Sequence, residues 1–322
     1  MALGTNHFYA GTGGALTVDI PLVFGQKIND YFRYNLSLAQ FFIDRSDELS
    51  DGGSTIYTPN IVALSTNAKV GGSQVTLNDT LQTTQTLTVS TWKESSFLIE
   101  DREMAQLKKS YYLQDKLAKA SAWEVAQDLD DAIAALFKSF TGNTMVGLSS
   151  ANVADSSLLA AIATLETLGT PGIYTGDVAF IFHPNTFYRQ IGSIDKLTLW
   201  QNTQTELPRS KAPTRSLYSI PVIVSPAVPI SASTAGATAL ARTNMLAHKD
   251  AIHWAKMSMP VKAEKGMIGS EGVRVQQSYI HEYMGELVTV DMCYGVVENR
   301  DGAAVVILSK QVAVGLSDIV TA

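Results

Sequence analysis

The chain has 322 residues, which is enough for one large or two ordinary domains. Only 17% of the residues are charged, below the roughly 25% typical of soluble domains, as expected if surface is hidden in a large core or against partners. The net charge of −6 argues against a general nucleic-acid binder, which would carry a basic patch. No apolar run reaches the ~20 residues of a membrane-spanning helix.

Residues 1–50 are predicted to form an N-terminal arm. The first residues are rich in glycine, so they would be poorly ordered unless tied down, and they lack the basic and apolar regions of a secretory signal. Apolar spacing predicts a helical patch over 23–32, and an aromatic cluster follows at 41–43. Because exposed aromatic surface favours aggregation, we expect the arm to dock on its own core or on a neighbouring molecule.

Residues 51–95 are predicted to form a long two-stranded hairpin. The first strand would cover 55–64, and the return strand over 75–90 alternates apolar side chains with threonines and other polar residues. Its apolar face is thin, and an isolated hairpin of this kind is marginal in water. We therefore expect the hairpin to lie against another body, such as an adjacent subunit. Four glycines are candidate hinges: Gly52, Gly53, Gly71 and Gly72.

Residues 98–140 are predicted to form one long helix directly after the hairpin. Acidic residues at its start suit the positive end of the helix dipole, and one apolar stripe recurs at helical spacing from Leu113 to Phe140. A helix of about 40 residues would span about 60 Å. Such a rod suits a large flat subunit that bridges neighbours better than it suits a compact enzyme.

The rest of the chain alternates between helical and extended patterns. A helix over 155–168 is predicted, with Asp155 as its N-cap and Gly169 at its end, and a second helix begins at Pro184. Residues 192–217 are predicted to form a polar, irregular loop. Extended patterns predict strands at 178–182, 221–224, 273–284, 286–297 and 303–308, with mixed strand and turn at 245–255.

No motif in the sequence predicts catalytic, cofactor-binding or metal-binding chemistry. The glycines at 11–14 match neither a dinucleotide-binding nor a phosphate-binding loop, and no serine lies in a nucleophile elbow. His248 and His253 are five residues apart without the pattern of a zinc protease, so they are expected to be structural or surface residues. His183, before a proline, is expected to lie in a turn or to cap a helix.

The acidic cluster on the long helix is expected to be a solvated helix face rather than an acid/base pair. Its members are Glu124, Asp128, Asp130 and Asp131. Cys293 is the only cysteine, so no intrachain disulfide can form, and its apolar neighbours predict a buried strand residue rather than a nucleophile.

Lys69, near the hairpin tip, is the one residue with a conceivable covalent role. It could attack the side chain of an asparagine in a neighbouring molecule, such as Asn299, if a buried carboxylate served as the base. The simpler interpretation, which we favour, is an ordinary exposed lysine.

The order of these parts resembles that of the HK97-fold major capsid proteins of tailed bacteriophages. That family has an N-arm, an E-loop hairpin, a P-domain with a long spine helix, and an A-domain. Residues 180–188 resemble the family's strand-proline-helix step, and 245–255 with 294–300 resemble its late strand pattern. The resemblance implies an α+β fold with five parts: arm (1–50), E-loop (51–95), P-domain with spine helix (96–190), A-domain and connections (191–285) and returning strands (286–322).

The resemblance also implies a function. The chain would be a non-enzymatic structural protein that self-assembles as hexamers and pentamers into an icosahedral shell around phage double-stranded DNA. It would assemble in the host bacterial cytoplasm and reside in the virion, without a membrane or cofactor. Its partners would be a separate scaffolding protein, a portal and, as an optional partner, a decoration protein. The separate scaffold is expected because no long charged segment precedes the arm. An encapsulin-like protein compartment is the alternative, and an α/β hydrolase or transferase is a third, less supported class.

Overall fold

Strands dominate the computed structural model of the chain. It describes residues 36–49, 53–61, 65–106 except 73, 76 and 79–81, 110–191 except 169, 171–172 and 174–175, 194, 216–232, 240–261, 267–270 and 272–311. All of these residues belong to one unit, Arg33–Ala322. The predicted helical patch at 23–32, most of the predicted arm and most of the 192–217 segment lie outside the described residues.

The described elements follow in chain order. The strands are β1 (Ile43–Asp44), β2 (Thr55–Ile61), β3 (Gln82–Thr88), β4 (Thr91–Glu100), β5 (Val146–Gly147), β6 (Val178–Phe182), β7 (Ser216–Leu217), β8 (Ile220–Val224), β9 (Ile230–Ala232), β10 (Leu240–His248), β11 (Ile252–Met257), β12 (Met267–Ser270), β13 (Val273–Ile280), β14 (Gly285–Glu298) and β15 (Ala304–Lys310). The α-helices are α1 (Leu38–Phe41), α2 (Asp101–Gln106), α3 (Ser110–Ala135) and α4 (Asp155–Thr167). Short 3₁₀ turns lie at Ser46–Leu49, Leu136–Lys138, Lys249–Ala251 and Asp301–Ala303, and a π-helical turn lies at Thr186–Gln190.

The first sheet is built around β14, the longest strand described. β4 pairs with β14 on one side, while β13 and then β11 pair with it on the other. β12 extends the sheet beyond β13, and β1 pairs in parallel with β11. The two long alternating strands predicted near the C-terminal end are confirmed, with a turn at 281–284 between them.

The second sheet has the strand order β5-β15-β10-β6-β8-β7, with β9 added beside β10. Its central strands β6 and β15 are nearly continuous apolar runs, and all five residues of β6 are buried. Strands that are covered on both faces have this composition. The predicted strands at 178–182, 221–224 and 303–308 are confirmed, with boundaries shifted by one or two residues.

Two apolar layers cover the second sheet. α4 packs on one face through Leu158, Ile162 and Leu165, against side chains of β6 and β15. The other face shares a core with the first sheet and with α3, in which Ile133, Met245 and Val290 are fully buried. This common core holds the two sheets together.

The long helix begins later and ends earlier than predicted. Residues 98–100, assigned to the helix, form the end of β4 and pair with β14. The first helix of this stretch, α2, begins at Asp101 and ends at Gln106. The second helix, α3, covers 26 residues, or about 39 Å. Intrinsic helix preference is weak, so the extended partner offered by β14 decides the conformation of 98–100. The final turn tightens to 3₁₀ geometry at Leu136–Lys138.

The apolar stripe of α3 was partly predicted. Val125, Leu129 and Ile133 are buried as expected, and Phe140 lies in the core just beyond the helix. Phe137, which was not among the residues of the predicted apolar stripe, is also fully buried.

The predicted N-cap of α4 is wrong. Ala154 occupies the N-cap position, and Asp155 is the first helical residue. The Asp155 carboxylate instead accepts a hydrogen bond from the Tyr218 hydroxyl. Burial and this carboxylate raise the pKa of Tyr218 to about 12.

Candidate functional site

A two-stranded hairpin, β2 paired with β3, is fixed to the body of the protein at its root. Ile56, Leu87 and Val89 are buried there, in a small core that includes Leu49 and Cys293. Polar contacts add to it: the Thr58 hydroxyl bonds to the guanidinium of Arg45, and the Gln85 amide donates to the carbonyl of Glu298 at 2.5 Å. The hairpin and its period-two alternation were predicted, and the pairing confirms them.

A glycine of β14 allows the hairpin to approach the first sheet. A Cβ atom on Gly295 would lie 2.2 Å from the carbonyl oxygen of Thr88, far inside van der Waals contact. The chain therefore needs glycine at this position to bring the end of β3 against β14.

The return strand was predicted to begin at 75, but the described residues over 75–78 pair with no strand, and β3 begins only at Gln82. Asn78 organises this tip instead, because its side chain accepts hydrogen bonds from Ser65 at 3.1 Å and from Asn67 at 2.8 Å. The apolar side chains of the tip face solvent: Val70 is 67% exposed, Val75 67% and Leu77 87%. Exposed apolar side chains grouped in this way are typical of a surface that another molecule covers.

Two of the candidate hinge glycines have left-handed backbone conformations. Gly53 has φ +113° at the hairpin entry and Gly72 has φ +79° at the tip. Gly71 lies next to it in the same turn, and Gly52 lies outside the described residues. The hinge role stays a prediction.

Asp130 does not lie on a solvated helix face, and that prediction is wrong. Asp130 is 0% exposed to solvent. The carboxylate accepts three backbone N–H bonds at the start of α1: Ser37 at 3.1 Å, Leu38 at 3.3 Å and Ala39 at 2.9 Å. Burial raises the pKa of Asp130, although the three backbone N–H donors each lower that pKa. Sequence spacing on a helix cannot reveal a partner 91 to 93 residues away.

Of the other three acidic residues of the cluster, Asp128 is partly buried and two are exposed. Asp128 accepts a hydrogen bond from the Tyr294 hydroxyl at 2.5 Å and pairs with Lys93 at 3.3 Å, which ties α3 to β14 and β4. Glu124 and Asp131 are exposed, as predicted. Partial burial nevertheless raises the pKa of Asp131, and nearby carboxylates add to the effect.

His248 and His253 lie where the chain crosses from the second sheet to the first. His253 Nε2 lies 2.8 Å from Asp250 Oδ1, and Arg300 Nε lies 3.0 Å from Asp250 Oδ2. The backbone N–H of Asp250 donates to His248 Nδ1 at 3.1 Å. Burial lowers the pKa of both histidines. Both therefore serve structural contacts within their own chain.

His183 is 8% exposed and lies in the turn after β6, as predicted. Its Nδ1 accepts the backbone N–H of Asn185 at 3.2 Å, an N-terminal contact of the following helical turn. Burial, helped by the charge of Arg242, lowers the pKa of His183 to about 4. It is thus a neutral acceptor near pH 7.

Lys69 and Asn299 differ in accessibility. Lys69 is exposed near the hairpin tip, and its Nζ donates to the carbonyl of Val70 at 3.4 Å. Asn299 is 8% exposed, and its amide nitrogen donates to the carbonyl of Asp250 at 3.1 Å. These two hydrogen bonds do not join the Lys69 and Asn299 side chains, and the crosslink stays a hypothesis.

Cys293 lies in β14 and is 7% exposed. Burial raises the pKa of its thiol, with a further contribution from Asp291. A neutral, buried thiol is a poor nucleophile, in agreement with the packing role expected from its neighbours.

The described residues contain neither a cluster of metal ligands nor a membrane-spanning helix. In these ranges, no three His, Cys, Asp or Glu side chains are grouped so that they could hold a metal ion. Among the helices described, none has both the length and the apolarity to cross a bilayer.

Sequence comparisons and structural comparisons differ in outcome. No protein-family model and no curated protein matches the sequence. The structure, however, is similar to solved phage structures over nearly its whole length. A structure from Mycobacterium phage Che8 matches with TM-score 0.66 and 15% identity, covering 91% of this chain and 98% of the other.

Two capsid structures give comparable results. The capsid of cyanophage P-SCSP1u matches with TM-score 0.67 and 14% identity over 94% of this chain and 96% of the other. The capsid of Ralstonia phage GP4 matches with TM-score 0.61 and 13% identity over 94% of this chain and 100% of the other. Identities this low carry information about the fold alone. The chain has the α+β, HK97-like fold of bacteriophage capsid proteins.

Proposed function

We propose that this protein is the major capsid protein of a tailed bacteriophage. Many copies would assemble as hexamers and pentamers into an icosahedral shell that encloses double-stranded DNA. The observation that carries the proposal is the match of nearly the whole chain to two phage capsid structures, each at 94% coverage of this chain. The protein would act as a structural component of the virion rather than as an enzyme.

The hairpin supports assembly as the mode of action. Its root is anchored in the body, while its tip presents Val70, Val75 and Leu77 to solvent. Burial of such side chains stabilises an interface by about 25 cal/mol per Å² of apolar area. Each contact is modest, but a closed shell repeats it many times, so the assembly is far more stable than one contact.

Several partners belong to the proposal. A separate scaffolding protein, a portal and, as an optional partner, a decoration protein would act with the shell, and assembly would take place in the bacterial cytoplasm. DNA would be enclosed without sequence-specific binding, in keeping with the net charge of −6. The arm and the hairpin would shift during maturation about the glycines at the hairpin entry and tip.

The test is expression of the full chain, alone and with the neighbouring genes of its genome, followed by size-exclusion chromatography and negative-stain microscopy. We expect closed particles of uniform diameter, with nucleic acid rather than enzyme cargo in particles from infected cells. A chain that stays monomeric under both conditions would refute the proposal. Particles filled with a cargo enzyme would instead establish the protein-compartment alternative.

A matched pair of variants links assembly to the hairpin tip. Leu77→Asp places a charge on the most exposed tip leucine, so we expect a folded chain that forms no particles. Leu77→Met keeps an apolar side chain of similar volume, so particles should form as in the wild type. Circular dichroism would verify that both variants fold.

A further inference from the structure

His253 is buried where the segment that enters the fold meets the first sheet. It lies on β11, where it pairs with Ile43 of β1 on one side and with Val297 of β14 on the other. Only 6% of the residue is exposed. A change in the charge of its imidazole would therefore act on the contacts of its own chain and would be little screened by solvent.

One nitrogen of this imidazole is free to take up a proton. Nε2 donates to the carboxylate of Asp250 at 2.8 Å, because an ionised carboxylate can only accept. This bond places the hydrogen of the neutral ring on Nε2 and leaves Nδ1 as an acceptor. Nδ1 is buried, and no donor among the described residues reaches it. In acid, the imidazole would therefore gain its proton at Nδ1, inside the protein.

Charged groups act on His253 from each element packed against it. The turn before β11 provides Asp250, the segment after β14 provides Arg300, and the segment after β1 provides Arg45. Arg300 Nε lies 3.0 Å from Asp250 Oδ2, so one cation already balances this carboxylate. Burial, with smaller contributions from the two arginines, lowers the pKa of His253, although Asp250 raises it. A protonated imidazole would thus be an excess positive charge that repels Arg45.

Arg45 connects the entering segment to β11 and to the hairpin. Its backbone N–H donates to the carbonyl of Trp254 at 2.9 Å, and its guanidinium donates to the Thr58 hydroxyl on β2. Nε and a terminal nitrogen also donate to the carboxylate of Glu48, at 2.7 and 2.8 Å. The Glu48 side chain is 46% exposed and belongs to the same segment, so this ion pair can move outward as a unit. Such a movement would release Trp254 and Thr58 together.

We propose that His253 is an acid-sensitive latch, whose protonation repels Arg45 and loosens β1 and β2 from β11. The latch is closed while the imidazole is neutral. Because the fold favours the neutral ring, the loosened state binds the proton more tightly, and its population rises as the pH falls below about 6.5, the value for an exposed histidine. The latch belongs to the folded chain itself, so this inference goes beyond the proposed shell function.

Amide hydrogen exchange of the full chain at pH 7 and pH 5 tests the latch, at a protein concentration too low for assembly. Protection is corrected for the pH dependence of intrinsic exchange and is expressed relative to β6 of the second sheet. We expect the relative protection of segments 43–49 and 53–61 to fall several-fold at pH 5. The upper limit is about 30-fold, because an exposed histidine titrates at about 6.5.

Three variants separate the latch from general acid unfolding. His253→Gln keeps an amide donor for Asp250 and cannot take up a proton, so the decline should vanish. His281→Gln, in the exposed 281–284 turn, is the matched control and should behave as the wild type. Arg45→Gln removes the repelled cation, so the two segments should be less protected at both pH values but should show a smaller decline between them.

Equal relative protection of the wild-type chain at pH 7 and pH 5 would refute the latch. A decline in His253→Gln as large as that in the wild type would refute it as well. If His253→Gln does not fold, the Arg45→Gln chain decides, because a decline equal to that of the wild type would contradict the repulsion of Arg45. All of these measurements use single folded chains, so they stand apart from the microscopy that tests the capsid function.

Discussion

At the scale of single residues, buried polar groups fix the geometry of this protein. Asp130 receives three backbone N–H groups from the segment that enters the fold at 37–39, and Leu38 and Phe42 of that segment lie in the main core. Asp291 holds Arg274 and Trp92 in the same manner on the first sheet. These carboxylates tie together parts of the chain that are far apart in sequence.

The first prediction concerns Asp130. Asp130→Ala would leave three backbone donors without an acceptor, so we expect the free energy of unfolding to fall by about 3 kcal/mol. Asp130→Asn keeps one acceptor oxygen and should cost less than half of that. Urea unfolding measures both. Exposed Asp131→Ala is the control and should stay within about 0.5 kcal/mol; an equal loss in the Asp131 and Asp130 alanine variants would contradict the anchoring role.

The second prediction concerns pH. The pKa of His183 is about 4 in the fold and about 6.5 in the unfolded chain, so between these pH values the folded state binds fewer protons than the unfolded state. Its contribution is complete above pH 6.5 and is lost as pH falls toward 4, by at most about 3 kcal/mol. His183→Asn keeps an acceptor for the Asn185 N–H and cannot titrate.

We therefore expect a shallower decline in stability between pH 6.5 and 4 in His183→Asn than in the wild type. His248 and His253, whose pKa values are also lowered, should preserve part of the slope. Thermal unfolding at half-unit pH steps gives the measurement, with His281→Asn in the exposed 281–284 turn as control. Parallel curves for wild type and His183→Asn would disprove the assignment.

At the scale of elements, β14 organises the first sheet and the hairpin together. It pairs with β4, β13 and β11, and Gly295 within it admits the end of β3 at close range. Pairing with the same strand keeps residues 98–100 extended, although the sequence predicted a helix there. A long central strand therefore sets the boundary of the helix and the position of the hairpin root.

The third prediction tests this close approach. Gly295→Ala would place a methyl group 2.2 Å from the Thr88 oxygen, so β3 must move away from the sheet. We expect a loss of about 3 kcal/mol and faster amide hydrogen exchange over β2 and β3. Gly302→Ala is the matched control, because a Cβ there meets nothing within 4 Å. Equal stability of the two variants would show that the root is not tightly packed.

At the scale of the whole molecule, a shared core joins the two sheets and α3, and the hairpin formed by β2 and β3 exposes apolar side chains at its tip. A packed body with an apolar-tipped hairpin is suited to repeated contacts between identical copies. Such contacts act together, so loss of one contact type should affect assembly more than it affects the fold.

The fourth prediction follows from this cooperativity. In the proposed shell, each ring of copies would need a functional tip from every member when Leu77→Asp chains are mixed with wild-type chains. The yield of closed particles should therefore fall faster than in proportion to the variant fraction, as sedimentation and microscopy would show. Mixing with Leu77→Met is the control, and a proportional decline would argue that tips are dispensable.

Short-range pattern in the sequence was sufficient for much of the fold. Alternation over β2 and β3, the apolar run of β6 and the paired long strands β13 and β14 were all predicted, because a strand's side-chain period is a property of neighbouring residues. The order of these parts was also enough to predict the capsid fold. The sequence also predicted that the hairpin lies against another body, because its thin apolar face is a local pattern of neighbouring residues.

Only the tertiary structure determined which polar residues are buried and which apolar residues stay exposed. Asp130 and Glu124 look alike in sequence, yet one is fully buried against residues 37–39 and the other is solvated. Trp92 gains its fixed orientation from Asp291 and Arg274, nearly 200 residues later in the chain. Burial and hydrogen-bond pairing depend on contacts between distant segments, and no local pattern encodes those contacts.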